Sequence, residues 1–151
     1  MNKINQLHKE DAIYIVGLFD GEGSINLSKL SRLQEHGKTP TYLLRARVRM
    51  TDEAIVRWLL ATIGGRFYSY QASKGNRKPC FEWNVAGRNV MDFLSQIFPY
   101  LRVKRLQAEV AFAYGSTLNK IEGWKLKLSD EAVLAREQLR GKMLVLNKRG
   151  I

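Results

Sequence analysis

The hydrophobic positions of the chain follow two periods, and each period predicts one kind of element. The clearest period-two run covers residues 44–50, where Leu44, Ala46 and Val48 share one face and three arginines share the other. This alternation predicts a half-buried β-strand. Weaker runs predict three more strands, at residues 24–30, 66–72 and 80–86.

Helices are predicted between these strands from apolar stripes and end signals. They cover residues 9–19, 52–63, 89–97 and 101–114, and a terminal helix runs from residue 130 to about 141. Thr51 and Ser129 are the expected N-caps of the second and the terminal helix. Loops are expected at residues 31–41 and at the hairpin tip 73–79. The pattern predicts an α+β fold in the order α-β-β-α-β-β-α-α, followed by a C-terminal helix.

The composition sets the expected partner. The 151 residues are 45% hydrophobic, which is enough for one domain with a core. A net charge of +11 and a pI of about 10.0 favour nucleic acid, although a ribosome-associated or merely basic protein has the same composition. With Cys80 as the one cysteine and two histidines, the chain has no intrachain disulfide, and a zinc site is not expected.

The sequence also bears on the compartment. No apolar run reaches the roughly 18 residues of a membrane span. The N-terminus lacks the apolar core of a signal peptide. We therefore expect an intracellular protein, cytoplasmic or organellar, without a membrane partner.

Residues 14–24 form an apolar helix that ends in two acids separated by glycine. Glycine inside a helix costs roughly 1 kcal/mol relative to alanine. Gly17 is therefore expected where another helix packs too closely for a side chain. Asp20 and Glu22 lie at the negative end of the helix dipole, where acids are unfavourable. A divalent metal ion would offset that charge.

This segment resembles the motif of the LAGLIDADG homing endonucleases. It matches the motif at Gly17, Leu18, Asp20 and Gly23, and Glu22 replaces the usual second aspartate. The resemblance covers roughly residues 10–115. It implies a LAGLIDADG fold, in which helices back a four-stranded antiparallel DNA-binding sheet. One domain would span residues 1–151, with a core at about 8–115 and a helical extension at about 116–151.

One motif copy per chain implies a homodimer, with two motif helices packed together. Its interface would include Ile13, Gly17 and Asp20, and a structural role for Asp20 is favoured over metal binding. Glu22 would bind the metal, joined by the backbone carbonyl of Gly21. Mg²⁺ is the expected ion, with Mn²⁺ substituting and Ca²⁺ supporting DNA binding without cleavage.

Two further catalytic candidates beside Glu22 come from the resemblance. Lys104 aligns with the family's lysine in a basic pocket near the scissile phosphate, and Asp52 with a polar residue near the catalytic water. Each also fits a plainer interpretation. Lys104 would then be an ordinary lysine at a helix start near phosphate, and Asp52 an acid at a helix N-terminus.

The expected DNA contacts are polar side chains on the open face of the sheet and in its loops: Asn26, Ser28, Arg32, Arg45, Arg47, Arg49, Ser69, Gln71, Glu82 and Asn84. A solvated sheet face is the alternative. The direction of strand 66–72 stays open. Either Phe67, Ser69 and Gln71 face DNA while Tyr68 and Tyr70 point inward, or the reverse holds.

The resemblance implies a Mg²⁺-dependent, site-specific double-strand DNA endonuclease, acting as a homodimer at a long pseudo-palindromic site. Such proteins are usually encoded within introns or inteins. One alternative is an RNA maturase that binds intron RNA and assists splicing. Another is a DNA-binding regulator that does not cleave. Glu22 and Lys104 favour cleavage over both alternatives.

Overall fold

The computed structural model describes residues 3–30, 41–71, 75, 78–118 and 129–148. Arg32, nearly all of the predicted loop at 31–41 and most of the hairpin tip at 73–79 lie outside the described residues. Among the residues that are described, no helix combines the length and the apolar character needed to cross a membrane.

The described residues form an α+β fold, and its elements follow the predicted order. They are α1 (Lys9–Glu22), β1 (Gly23–Leu30), β2 (Thr41–Met50), α2 (Glu53–Ile63), β3 (Arg66–Tyr70), β4 (Cys80–Ala86), α3 (Arg88–Ile97), a 3-10 turn (Phe98–Tyr100), α4 (Arg105–Ser116) and α5 (Asp130–Asn147).

The four strands form one antiparallel sheet in the order β1-β2-β4-β3. Its inner face carries the predicted apolar set of β2, and Val48 lies opposite Trp83 of β4. Trp83 is fully buried, and its indole Nε1 donates to the carbonyl of Gly64 at 2.7 Å. Helices cover this inner face, which leaves the arginine face of the sheet uncovered by the main core.

The chain turns sharply where α2 meets β3. Gly64 and Gly65 have φ angles of +92° and +102°, a region that side chains disfavour. A Cβ on Gly65 would also lie 2.7 Å from the carbonyl oxygen of Asn84. The predicted helix end at this glycine pair is therefore required both by backbone conformation and by the close approach of β4.

Two predicted helix starts were wrong for the same reason, a carboxylate that binds backbone N–H groups. The N-cap of α2 is Asp52, whose Oδ1 accepts from the N–H of Ile55 at 3.1 Å, and Thr51 lies outside the helix. The predicted helix at 101–114 starts only at Arg105. The preceding residues instead form a turn that binds Asp20.

The motif helix is longer than predicted. α1 continues through Glu22, and Gly23 has φ −83°, an angle open to any residue. Gly23 is required by packing instead, since a Cβ there would strike the ring of Phe19 and lie 2.6 Å from its carbonyl oxygen. The two acids therefore sit on the last helical turn and not in a loop after it.

α5 follows its predicted cap and runs past the predicted end. Ser129 accepts from the N–H of Ala132 at 3.2 Å, and the helix ends at Asn147 instead of about residue 141. Met143 is buried in the main core. Asn147 Nδ2 donates to the carbonyl of Ile25 on the edge strand β1 at 2.8 Å. α5 thus packs against the main core and the edge strand β1.

Candidate nucleic-acid interface and acidic helix end

Asp20 is held entirely by its own chain. One carboxylate oxygen accepts the N–H of Arg102 at 2.9 Å, and the other accepts those of Val103 and Lys104 at 3.2 and 3.1 Å. The ammonium of Lys104 donates to the backbone carbonyl of Asp20 at 2.7 Å. These bonds tie the end of α1 to the turn before α4, an arrangement that fits the structural role predicted for Asp20.

Glu22 has a different environment although it lies only two residues further on. It is exposed and is the last residue of α1. The bond from Lys104 to Asp20 brings a positive charge to this helix end. Within the part of the chain that the structure describes, no group of three or more His, Cys, Asp or Glu side chains could hold a metal ion. Of the two acids at this helix end, Asp20 binds backbone N–H groups, and Glu22 is the one whose carboxylate is exposed to solvent.

Asp52 is exposed and caps α2 through its bond to Ile55. This contact matches the plainer interpretation of the residue, a helix-N-terminal acid. The catalytic role suggested for Asp52 stays a prediction.

One face of α1 is open. Ile13 is 49% exposed, and a Cβ placed on Gly17 or on Gly21 would meet no atom within 4 Å among the residues that the structure describes, apart from the local backbone of α1. A groove of about 570 Å³ runs along this face between α1 and the 3-10 turn, lined by Ile13, Gly17, Asp20 and Tyr100 among others. No described residue of the same chain packs against Gly17, so the close helix contact expected there is not made within the chain.

The outer face of the sheet is basic, as predicted. Arg45, Arg47 and Arg49 lie side by side on β2, opposite Asn26, Ser24 of β1 and Glu82 of β4 respectively. Arg47 Nε donates to Ser24 Oγ at 3.3 Å, and Asn26 donates to the same oxygen. Ser28 lies on this face as well and is exposed.

Glu82 and Asn84, which the sequence predicts to contact DNA, are buried in the single chain. They are only 2% and 3% exposed, and Asn84 Nδ2 donates to Glu82 at 2.8 Å. Arg49 binds the other oxygen of Glu82 at 2.8 Å, which raises the pKa of the Arg49 guanidinium above its usual value. Both residues lie on β4, a central strand, where Arg47 and Arg49 of β2 flank them on one side and Arg66 and Tyr68 of β3 on the other.

Strand β3 faces the opposite way from the prediction for Ser69. Phe67 lies opposite Trp83 and stacks on Phe81 with ring centroids 6.1 Å apart, so Phe67 faces the core side of the sheet. Ser69 lies on the same side of the strand as Phe67, although Ser69 itself is exposed. Tyr68 and Tyr70 therefore share the arginine face, where they are 44% and 42% exposed. Gln71 lies just beyond the end of the strand and is exposed.

Neither a family model nor a curated protein matches this sequence significantly. Solved structures do match its fold. The homing endonuclease I-CvuI, bound to DNA with 2 mM Mg present, is 24% identical and superposes with a TM-score of 0.72 over 95% of this chain and 87% of its own. The archaeal intron-encoded homing endonuclease I-Vdi141I, complexed with DNA, is 16% identical with a TM-score of 0.74 over 94% and 87%.

A third structure supplies the name of the fold. The LAGLIDADG homing endonuclease I-LtrWI, bound to target DNA, is 13% identical with a TM-score of 0.69. The chain has the LAGLIDADG homing endonuclease fold. The match to I-LtrWI covers 97% of this chain but only 47% of I-LtrWI, so this chain spans about half the length of that protein.

Sequence reasoning missed two residues of the basic face of this LAGLIDADG fold, Ser24 and Arg66, and left the outward direction of Tyr70 as one of two alternatives. Ser24 lies opposite Arg47, and Arg66 lies opposite Asn84. The ring of Tyr70 lies 4.7 Å from the guanidinium carbon of Arg49. The apolar Phe67 was the signal for β3, because a strand that buries Phe67 must turn residues 66, 68 and 70 outward.

Proposed function

We propose that the chain is a site-specific double-strand DNA endonuclease that depends on Mg²⁺ and acts as a homodimer. The observation that carries this proposal is the continuity of β1 with α1. The strand that forms one edge of the basic sheet begins at Gly23, directly after the exposed carboxylate of Glu22. A DNA duplex on the arginine face would therefore pass beside a single acid at the helix end.

Sheet and DNA are matched in charge and in shape. A twisted antiparallel sheet fits the major groove, and arginine can donate two hydrogen bonds to guanine there. Three arginines on one strand face repel one another unless an anion is near, and Glu82 offsets only part of their charge. The phosphates of a duplex would supply the remainder.

The open face of α1 supports the homodimer. Gly17 lies in mid-helix with free space beside it, although glycine there costs about 1 kcal/mol relative to alanine. A second α1 packed on Gly17 would explain that residue. A twofold axis through this contact would also bring the Glu22 of each copy together and would suit a pseudo-palindromic site.

The few ligands at the end of α1 suit Mg²⁺ better than they suit a metal ion whose ligands all come from the protein. Mg²⁺ is usually held by one or two carboxylates plus phosphates and waters, and Glu22 with the Gly21 carbonyl offers that minimum. The I-CvuI complexes with DNA were obtained in the presence of 2 mM Mg or 2 mM Ca. When bound, the ion would activate water and stabilise the leaving oxygen. By the same reasoning Mn²⁺ would substitute, and Ca²⁺ would support binding alone.

The side chains of the chain divide the remaining work. Glu22 supplies negative charge at the point where the two copies meet. Lys104, fixed to the carbonyl of Asp20, places a cation that would stabilise developing charge on a phosphate. Asp20 holds the turn that carries Lys104. We also propose that the chain is encoded within an intron. This part of the proposal rests on the similarity of its fold to I-Vdi141I, which is described as intron-encoded.

A pooled library of random duplexes tests the proposal. Wild-type protein is incubated with the library and Mg²⁺, and the newly formed ends are sequenced. We expect cuts within one long, nearly palindromic sequence and no cuts when Mg²⁺ is chelated. Binding to folded intron RNA without cleavage of any duplex would instead support the maturase, and selective duplex binding without cleavage would support the regulator.

A further inference from the structure

A single buried carboxylate lies beneath the arginines of the basic sheet face. Glu82 is 2% exposed on the central strand β4. Burying a charge is unfavourable unless it is paired and hydrogen-bonded. Glu82 meets both conditions. One oxygen contacts Arg49 at 2.8 Å and Arg47 at 3.7 Å, and the other accepts from Asn84 at 2.8 Å.

Glu82 holds these two arginines in defined places, each with help from a second group. The guanidinium of Arg49 lies between the Glu82 carboxylate and the ring of Tyr70, whose centroid is 4.7 Å away. Arg47 is bound on one side by Ser24 Oγ at 3.3 Å and on the other by Glu82. Both guanidinium groups still reach solvent, with side chains that are 45% and 35% exposed.

Arg45 provides an internal comparison on the same strand. Its Nε atom is buried and has no hydrogen-bond partner among the described residues. No carboxylate in that part of the chain pairs with it either. Neighbouring arginines of one strand face therefore differ, since Glu82 pairs with Arg47 and Arg49 and not with Arg45.

We propose that Glu82 is a positioning residue that sets DNA sequence specificity by fixing Arg47 and Arg49 toward the bases. This inference rests on the proposed function, because it assumes that the sheet face reads a duplex. A fixed guanidinium can meet guanine with two hydrogen bonds. A free one binds the nearest phosphate, which strengthens binding to every sequence alike. The Glu82 carboxylate thus lowers the affinity for DNA of any sequence and raises the discrimination between DNA sequences.

The test compares wild type with Glu82→Gln, which keeps the shape and the bond to Asn84 but removes the charge. Dissociation constants are measured without Mg²⁺ for the selected duplex and for a scrambled duplex, over a range of salt concentrations. We expect tighter binding to the scrambled duplex and a specificity ratio that falls about tenfold, within the range for one arginine–guanine pair. The salt slope should steepen by about one for each arginine moved to a phosphate.

A double-mutant cycle shows whether the effect passes through the arginines. In the background of Arg47→Ala with Arg49→Ala, Glu82→Gln should change the specificity ratio less than twofold. In the background of Arg45→Ala it should lower the ratio by the same factor as in wild type. An equal loss in both backgrounds would overturn the inference, because a general effect on folding acts in either one.

Two surface variants keep the test decisive if Glu82→Gln does not fold. Tyr70→Leu frees one side of Arg49, and Ser24→Ala frees one side of Arg47, without a change in charge. Each should lower the specificity ratio and steepen the salt slope. If these variants are as selective as wild type, the inference fails and the proposed function stands. If wild type itself prefers no duplex sequence, both fail.

Discussion

Asp20 and Glu22 are two acids on one helical turn, and their surroundings separate their roles. The three N–H groups that Asp20 accepts come from consecutive residues 102–104. Glu22 is exposed at the helix end. The sequence shows that both residues are acids. It does not show which acid the turn before α4 will use, because that turn is 82 residues away in sequence.

Asp20→Asn should therefore destabilise the fold more than Glu22→Gln does. The amide keeps one acceptor oxygen but loses the charge and the second acceptor, so we expect a loss of about 1–3 kcal/mol in the free energy of unfolding. Glu22→Gln should stay within about 0.5 kcal/mol of wild type, as is usual at exposed positions. Urea unfolding of the three proteins measures both values. Equal stability of the two variants would contradict the structural role of Asp20.

Lys104 should contribute to cleavage beyond its contact with Asp20. Lys104→Ala removes one positioned cation, and we expect single-turnover cleavage at saturating protein to fall about 10²-fold. Arg102→Ala is the matched control, because the exposed side chain of Arg102 carries the same charge on the same turn. The control should weaken binding at high salt and leave the saturated cleavage rate nearly unchanged. Equal rates for both variants would reduce Lys104 to an ordinary basic residue.

At the scale of elements, the carboxylate of Glu137 joins α5 to the sheet, in addition to the bond of Asn147 to β1. Glu137 accepts from Arg140 and from the Tyr42 hydroxyl of β2, both at 2.6 Å, and lies 3.7 Å from Lys29. Bonds from Arg140 and then Tyr42 lower the pKa of Glu137 to about 2, while burial and then the Glu137 bond raise the pKa of Tyr42 to about 12. The sequence predicted the helix but not this attachment.

These shifts predict how stability depends on pH. Because the folded pKa of Glu137 is lowered, its contribution is full above its ordinary value of 4.5 and is lost as the pH falls toward about 2. Glu137 is 37% exposed, so solvent screening limits that contribution to about 1 kcal/mol. Unfolding of wild type and Glu137→Gln should differ by that amount at pH 7 and converge below pH 4.5.

Glu109→Gln on the exposed face of α4 is the control for the pH series, and it should follow wild type throughout. A difference between wild type and Glu137→Gln that persists unchanged at pH 2 would contradict the lowered pKa. The Tyr42 contribution has the opposite sign. It is full below pH 10.0 and is lost as the pH rises through about 12.

Most of the elements could be predicted from local pattern, and most of the errors came from contacts between distant residues. The alternation of apolar and polar residues in β2 correctly predicted which side chains face the core, and Ser129 correctly predicted the start of α5. The burial of Glu82 depends on its place between β2 and β3, which alternation within one strand does not give. A polar residue in the outward register of a strand therefore need not be an exposed residue.

At the scale of the whole molecule, the open face of α1 predicts a dimer. Gly17→Leu should not disturb the single chain, since apart from the local backbone of α1 no atom of the described residues lies within 4 Å of the Cβ position. It should weaken dimerisation by several kcal/mol, because overpacking costs roughly 1–3 kcal/mol per site and a twofold contact contains the site twice. Sedimentation on and off DNA measures the change.

Gly141→Leu is the matched control for the dimer prediction. Gly141 is also a helical glycine, and within the described ranges no atom beyond its local helix backbone lies within 4 Å of its Cβ position, but it lies on α5. This variant should sediment like wild type. A wild-type protein that remains a monomer both free and on DNA would contradict the dimer.

The central claim is that the chain cuts DNA with the carboxylate at the end of α1. The most direct measurement is strand cleavage of the selected duplex in Mg²⁺, beside binding of the same duplex in Ca²⁺, for wild type and Glu22→Gln. We expect both proteins to bind, the variant as tightly as wild type or more so, because it carries less negative charge near phosphate. Cleavage by the variant should fall by orders of magnitude. Undiminished cleavage by Glu22→Gln would contradict the account.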